Sequence, residues 1–164
     1  MSKPDGEHPF GDTGQLICLA VFLVAWIGDS FLLQRSTLLA GAVPLPLRLI
    51  ILGLALALAV WLARSGHAVA GHGQRPDGVV TSGAFRYVRH PLYLASIVTY
   101  LGLAISTGSL VSLVAWMGIF LFHDHIASYE EKLLEQRFGD AYRAYRRATG
   151  KWVPRRSKEE EDGA

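Results

Sequence analysis

A single cysteine, Cys18, leaves this chain of 164 residues unable to form an internal disulfide. It lies inside an apolar run, where a packing role fits better than a reactive one. The N-terminal stretch lacks a basic region, since Lys3 stands alone against Asp5, Glu7 and Asp12. That argues against a cleaved secretory leader, although Ala40-Gly41-Ala42 has the small residues of a cleavage site. The formal net charge of +2 is too small to point to a nucleic-acid partner. Clustered metal ligands are missing as well. His67 and His72 have no cysteine partner, and His123, Asp124 and His125 are consecutive, so their side chains diverge; no metal is expected at either place.

Long hydrophobic runs are what the chain has in abundance. Hydrophobic residues make up 51% of it, and they come in blocks instead of a soluble alternation. Leu16 to Leu33 is broken only by Asp29 and Ser30, and Leu45 to Leu62 carries Arg48 near its start. At ~1.5 Å rise per residue, each run forms a helix of about the hydrocarbon thickness of a bilayer. The third block, Leu92 to Phe122, is too long for one ordinary span and is interrupted at Ser106-Thr107-Gly108-Ser109, which reads as a tight turn in a hairpin of two short spans. The expected fold is an all-α integral membrane protein with four transmembrane helices and a cytoplasmic C-terminal amphipathic helix. Within one membrane domain the divisions fall at 1–15 (cytoplasmic tail), 16–64 (first two spans), 65–90 (cytoplasmic connector), 91–125 (hairpin), 126–154 (C-terminal cytoplasmic helices) and 155–164 (disordered charged tail). Asp29, near the outer end of its span, is expected to snorkel or to pair with Arg35. Gly53 and Ala57 offer a close contact to a neighbouring helix.

Basic residues set the expected topology. Arg64, Arg75, Arg86 and Arg89 lie between the second and third spans, and nine of the sixteen Lys and Arg residues follow the fourth. Basic segments stay in the cytoplasm, so the connector, the tail and both termini are expected there, in an inner or plasma membrane. The basic tail is expected to lie against anionic lipid headgroups. Ser65 to Gly83 holds five glycines and Pro76 and reads as an irregular connector.

The densest chemistry is Gly83-Ala84-Phe85-Arg86-Tyr87-Val88-Arg89-His90-Pro91-Leu92-Tyr93. Pro91 suits the first position of a helix, which places Arg89 and His90 at the threshold of the third span. A helix start with arginines beside it favours a carboxylate or phosphate. Tyr93 lies one turn beyond His90 and shares its side. A positive-inside anchor with an interfacial tyrosine belt is the plainer alternative. Beyond the fourth span, Glu130, Leu134 and Phe138 share one helical face, with the carboxylate at the end of the apolar stripe. Glu131 and Glu135 repel each other, so Glu131 needs a partner elsewhere. Gly139-Asp140 breaks the helix before a second short one carrying Tyr142 and Tyr145.

In order and spacing these motifs resemble the isoprenylcysteine carboxyl methyltransferase and phospholipid N-methyltransferase superfamily of integral membrane enzymes. The matching stretches are Gly83 to Tyr93, Glu130-Glu131-Lys132-Leu133-Leu134, Phe138 to Tyr145 and the closing Pro154, covering about residues 79–154. The resemblance implies S-adenosylmethionine as cofactor, cupped by the connector, the start of the third span and the tail helix. It assigns Arg89, His90 and Tyr93 to the cofactor pocket, Glu130 or Glu131 to the ribose or amino group, and Gly83 and Phe85 to the loop beneath. Arg89, His90 and Glu130 are the candidate catalytic residues. One departure stands out: where the family often has an arginine shortly before the paired glutamates, this chain has Ile126, with His125 beside it.

The implied acceptor is a lipophilic small molecule or lipid, either an isoprenylcysteine-type carboxyl or a phospholipid amine. A carboxylate needs no base, whereas an ammonium must first lose a proton, a task for His90 or Glu130. A small-thiol methyltransferase and a non-enzymatic four-helix membrane protein are the alternatives.

Overall fold

The computed structural model describes residues 11–70 and 78–155. His72, Arg75 and Pro76 of the connector and the charged tail from residue 156 lie outside the described residues. Among the described residues six α-helices follow in order: α1 (Gly11–Ile27), α2 (Leu39–Ala42), α3 (Leu45–Ala70), α4 (Pro91–Thr107), α5 (Leu110–Phe138) and α6 (Asp140–Ala148). A wider π-helical stretch, Gly28–Leu33, extends α1, and a 3-10 turn, Gly83–Arg86, precedes α4. The described residues form no strand; Val88 and Gly150 make one isolated parallel bridge.

Three helical stretches, Thr13–Leu33, Leu45–Val69 and Leu110–Phe138, are long and apolar enough to cross a membrane, and Pro91–Thr107 is a shorter apolar helix of 17 residues. Their outward side chains agree with lipid surroundings. Val24, Leu54 and Val114 are 75%, 68% and 73% exposed, a surface that water would not tolerate over several helices. Two expected boundaries differ. Helix α3 continues through Ser65 to Ala70, and α5 runs unbroken past residue 125, so the fourth apolar helix and the segment bearing Glu130 and Glu131 are one rod. The reason is local: no proline or glycine lies between Ile119 and Phe138 to stop it.

The turn at 106–109 forms as expected. Gly108 closes α4 in the left-handed region (φ 67°), and Ser109 caps α5 by accepting from the Ser112 amide at 3.1 Å. A β-carbon on Gly108 would lie 2.4 Å from the Ala40 nitrogen, so only glycine lets α2 sit on this turn. At the same end Asp29, 4% exposed, accepts from the Ser36 hydroxyl, the Ser36 amide and the Ser109 hydroxyl (2.6 Å). Among the described residues Arg35 forms no ion pair with it and contributes only a backbone hydrogen bond. Serines reach the carboxylate first because the π-helical stretch folds the chain back at Gln34, whose φ is 51°.

Helices α3 and α4 pack most closely, through Gly102 against Ala55 and Gly66 against Leu92. Gly53 and Ala57, the expected contact, face outward instead: nothing lies within 4 Å of a β-carbon built on Gly53, and Ala57 is exposed. This contrast gives a test. Leucine at Gly102 would place its β-carbon 2.7 Å from that of Ala55. Gly102→Leu is expected to lower stability by about 1–3 kcal/mol in detergent thermal unfolding, and Gly53→Leu to leave it unchanged.

Candidate functional site

Three segments distant in sequence meet at the start of α4. The 3-10 turn is held against α3, where Ser65 Oγ accepts from the Ala84 amide at 2.8 Å. Gly83, with φ 60°, lets the turn press there, since a β-carbon would meet Ser65 Oγ at 2.9 Å. The chain then pairs with the segment after α6, the Arg89 amide donating to the Gly150 carbonyl at 2.9 Å. His90 occupies the N-cap of α4 and Pro91 its first turn. From the other side, α5 delivers Glu130 and Glu131.

One carboxylate oxygen ties these parts together. Glu131 Oε1 accepts from Arg89 Nε at 2.9 Å and from His90 Nε2 at 3.1 Å. The Arg89 and Glu131 side chains are 9% and 8% exposed, so this ion pair is nearly dry. The same guanidinium donates through NH1 to the carbonyls of Arg146 and Thr149, closing the C-terminus of α6. Arg146 Nε lies 3.8 Å from the second Glu131 oxygen.

Glu130 faces a different group. Its Oε1 accepts from the Tyr93 hydroxyl at 2.7 Å, and its Oε2 lies 3.9 Å from His90 Nδ1. Aromatic rings surround the pair: His90 stacks with Tyr93 at 5.9 Å, and Trp152 lies 5.8 Å from His90 and 5.9 Å from Phe120. Trp152 is held by its indole N–H on Asp124 (2.8 Å), a carboxylate that Lys151 also grips. Tyr145 donates its hydroxyl to the Phe85 carbonyl at 2.7 Å. Burial pushes that hydroxyl up to about 12, and burial together with the Glu131 charge raises Tyr142 as well.

A family model described as phospholipid methyltransferase matches residues 45–141, more than half of the chain. The chain belongs to that family. It is also 32% identical over 89 residues to a protein-S-isoprenylcysteine O-methyltransferase from Schizosaccharomyces pombe, covering 54% of this chain and 38% of the relative. With the cobalt-zinc-cadmium resistance protein CzcN of Cupriavidus metallidurans it shares 33% identity over 115 residues, 70% of this chain and 51% of the relative. The chain thus spans at most about half the length of either.

Of the residues singled out from the sequence, Arg89, His90, Tyr93, Glu130 and Glu131 converge. Phe85 contributes its backbone carbonyl, Gly83 packs on α3, and Arg86 is exposed. The carboxylate that Arg89 meets in the structure is the chain's own Glu131. Several participants escape a sequence reading. His123, considered there with His125 only as a metal ligand, is 1% exposed and lies 5.2 Å from the Tyr93 ring, whereas His125 is exposed. Two steps of about 100° separate them, and that periodicity was the available signal. Trp152 and Arg146 carried none. Among the described residues no group of three or more His, Cys, Asp or Glu side chains is arranged to hold a metal ion.

Two predictions follow from this geometry. Glu131→Ala strands the buried Arg89 charge and is expected to cost about 3 kcal/mol or more in thermal unfolding, while Arg89→Met in the same chain adds less than its separate cost. Tyr145 has its folded-state value raised above the ordinary value of about 10, so its contribution is complete below that pH and is lost as pH rises through about 12. Ultraviolet tyrosinate absorbance and helical circular dichroism should change together over that window, and Tyr145→Phe should remove the coupling.

Proposed function

We propose that this protein is an S-adenosylmethionine-dependent methyltransferase acting at the cytoplasmic membrane face on a lipophilic acceptor. The observation that carries this reading is the convergence of Glu130, Tyr93 and His90 beside the Arg89–Glu131 pair in a member of the phospholipid methyltransferase family.

The residues suit such a cofactor. Glu130 offers a carboxylate to a ribose or an amino group, and the rings of His90, Tyr93 and Trp152 offer π-faces to a cation and an adenine. Two buried polar atoms bordering the site, His123 Nε2 and the Tyr142 hydroxyl, have no hydrogen-bond partner among the described residues. Such orphans are costly and are tolerated where a ligand completes them. When bound, the cofactor supplies a methyl group on a positively charged sulfur, which is already electrophilic. The protein's tasks are alignment, exclusion of water and the handling of a proton.

His90 is oriented for the last task. Its Nε2 faces Glu131 at 3.1 Å, which calls for a proton there and leaves the Nδ1 lone pair turned toward Glu130. A proton taken from an ammonium acceptor onto Nδ1 creates an imidazolium flanked by two carboxylates. A carboxylate acceptor leaves this device unused. Lipid access is offered by a groove of about 380 Å³ lined by Gln15, Leu16 and Leu19 of α1 and Ser96 and Tyr100 of α4. Tyr93, Ser96 and Tyr100 are spaced i, i+3, i+7, so a chain lying in the groove has its head at Tyr93 and Glu130.

Calorimetric titration of the purified protein with S-adenosylmethionine and its demethylated product tests the cofactor, and transfer of labelled methyl into total membrane lipid tests the acceptor class. Glu130→Gln and Tyr93→Phe are expected to fold and to lose about a hundredfold in transfer. Absence of binding by either cofactor form would move the assignment to a non-enzymatic membrane protein.

A further inference from the structure

Beside the site, and sharing Arg89 and Arg146 with it, lies an open pocket of about 390 Å³ lined by Arg89, Glu135, Arg143, Arg146, Arg147 and Arg155. Burying Tyr142 and Tyr145 turns the other face of α6 outward, and Arg143, Arg146 and Arg147 are adjacent on it at i, i+3 and i+4. Glu135 reaches Arg143 at 2.9 Å and Arg146 at 3.2 Å; Asp140 reaches Arg143 at 2.7 Å; Glu131 serves Arg89. Five guanidiniums therefore face three carboxylates, and two positive charges are left over. Among the described residues, neither Arg147 nor Arg155 has a carboxylate within 4 Å. Arg155 is fixed in place, since its NH1 donates to the Arg147 carbonyl at 3.1 Å.

We infer that this pocket binds a phosphate group. Guanidinium forks match phosphate oxygens in pairs, and a phosphomonoester carries a charge of about −1.5 to −2, close to the surplus left by the protein. A lysine cluster would offer point charges; a lining of five arginines around Glu135 offers planar donors, which select an anion of fixed geometry. The pocket adjoins Arg89, two residues before the start of the apolar α4, and so lies at the level of lipid headgroups. That position favours a lipid phosphate over a soluble one. The inference does not depend on methyl transfer.

Binding is measured with the full chain in neutral detergent micelles, the acidic run Glu159 to Asp162 included. The probes are a short-chain phosphatidic acid and inorganic pyrophosphate. Saturable binding of phosphatidic acid alone assigns a lipid phosphate; binding of both assigns phosphate generally. In either case Arg147→Gln with Arg155→Gln should weaken it about tenfold or more, and added salt should weaken it further. Arg64→Gln, on the exposed side of α3, should change nothing. Should the double glutamine variant fail to fold, the corresponding double lysine variant should still bind more weakly than the native chain, because it keeps the charge and loses the fork. S-adenosylmethionine affinity measured on the same variants should be unchanged, which separates this site from the cofactor reading. No saturable binding of either probe, or equal affinity in native and variant chains, overturns the inference.

Discussion

The Glu131 carboxylate is the constraint on which the rest of the site depends. It lies on α5, its two donors lie at the head of α4, and one of those donors also closes the end of α6. A single oxygen thus links three elements, which Tyr93–Glu130 between α4 and α5 and Glu135–Arg143 between α5 and α6 reinforce. The nearly dry setting explains why so few atoms suffice. In a low dielectric a guanidinium and a carboxylate at 2.9 Å are hard to part, since separating them leaves two uncompensated charges. Orientation follows from the same bond. With Arg89 and His90 anchored on Glu131, the neighbouring Glu130 accepts from Tyr93 and lies 3.9 Å from His90 Nδ1.

Length explains why this node sits where it does. At ~1.5 Å per residue the 29 residues of α5 span about 43 Å, well beyond the ~30 Å of a hydrocarbon core. The last turns of α5 must leave the apolar layer, and they carry Asp124, Glu130, Glu131 and Glu135. Helix α4, with 17 residues, is only about 26 Å long and begins at Pro91, so its head comes level with the point where α5 emerges. A short helix beside a long one therefore makes a step, and the carboxylates stand in the step facing Arg89 and His90. The break at Gly139, where φ is 52°, turns the chain so that α6 covers it.

Much of this was legible in the residues. Apolar blocks, the serine–glycine turn, Pro91 and Gly139 act through local sterics, and each produced the expected element. The pairing of the two motifs also followed, because a hairpin must return its second helix to the level where the first began. Interactions decided by side-chain direction were not legible. Which glycine meets a neighbour depends on helix rotation, which a run of leucines leaves undetermined; hence Gly102 makes the close contact and Gly53 does not. Asp29 took serine partners because a π-helical stretch rotated it inward, and nothing in Gly28–Leu33 announces that widening. His123 and His125 look equivalent in the chain and differ completely in burial.

The two ends of the bundle are held by different contacts, and these decide where a groove opens beside α4. At one end of the bundle, Trp26 and Ser30 of α1 and its π-helical extension bond to Leu103 and Thr107 of α4, while Asp29 holds Ser109 at the turn into α5. At the other end, Gly14 lets α1 come against Phe122 and Ile126 of α5, where a β-carbon would lie 2.9 Å from the phenyl ring. Helix α1 is thus pinned to α4 at the far end and to α5 at the site end. Near the site end of α1, Gln15, Leu16 and Leu19 line a groove against Ser96 and Tyr100 of α4, and further along Phe22 stacks on Tyr100 at 4.6 Å. Helices α3 and α4 offer no such opening, since Gly102 and Gly66 bring them to their closest approach. The α3 side of α4 is therefore a closed wall, and the groove beside this helix lies on its α1 side.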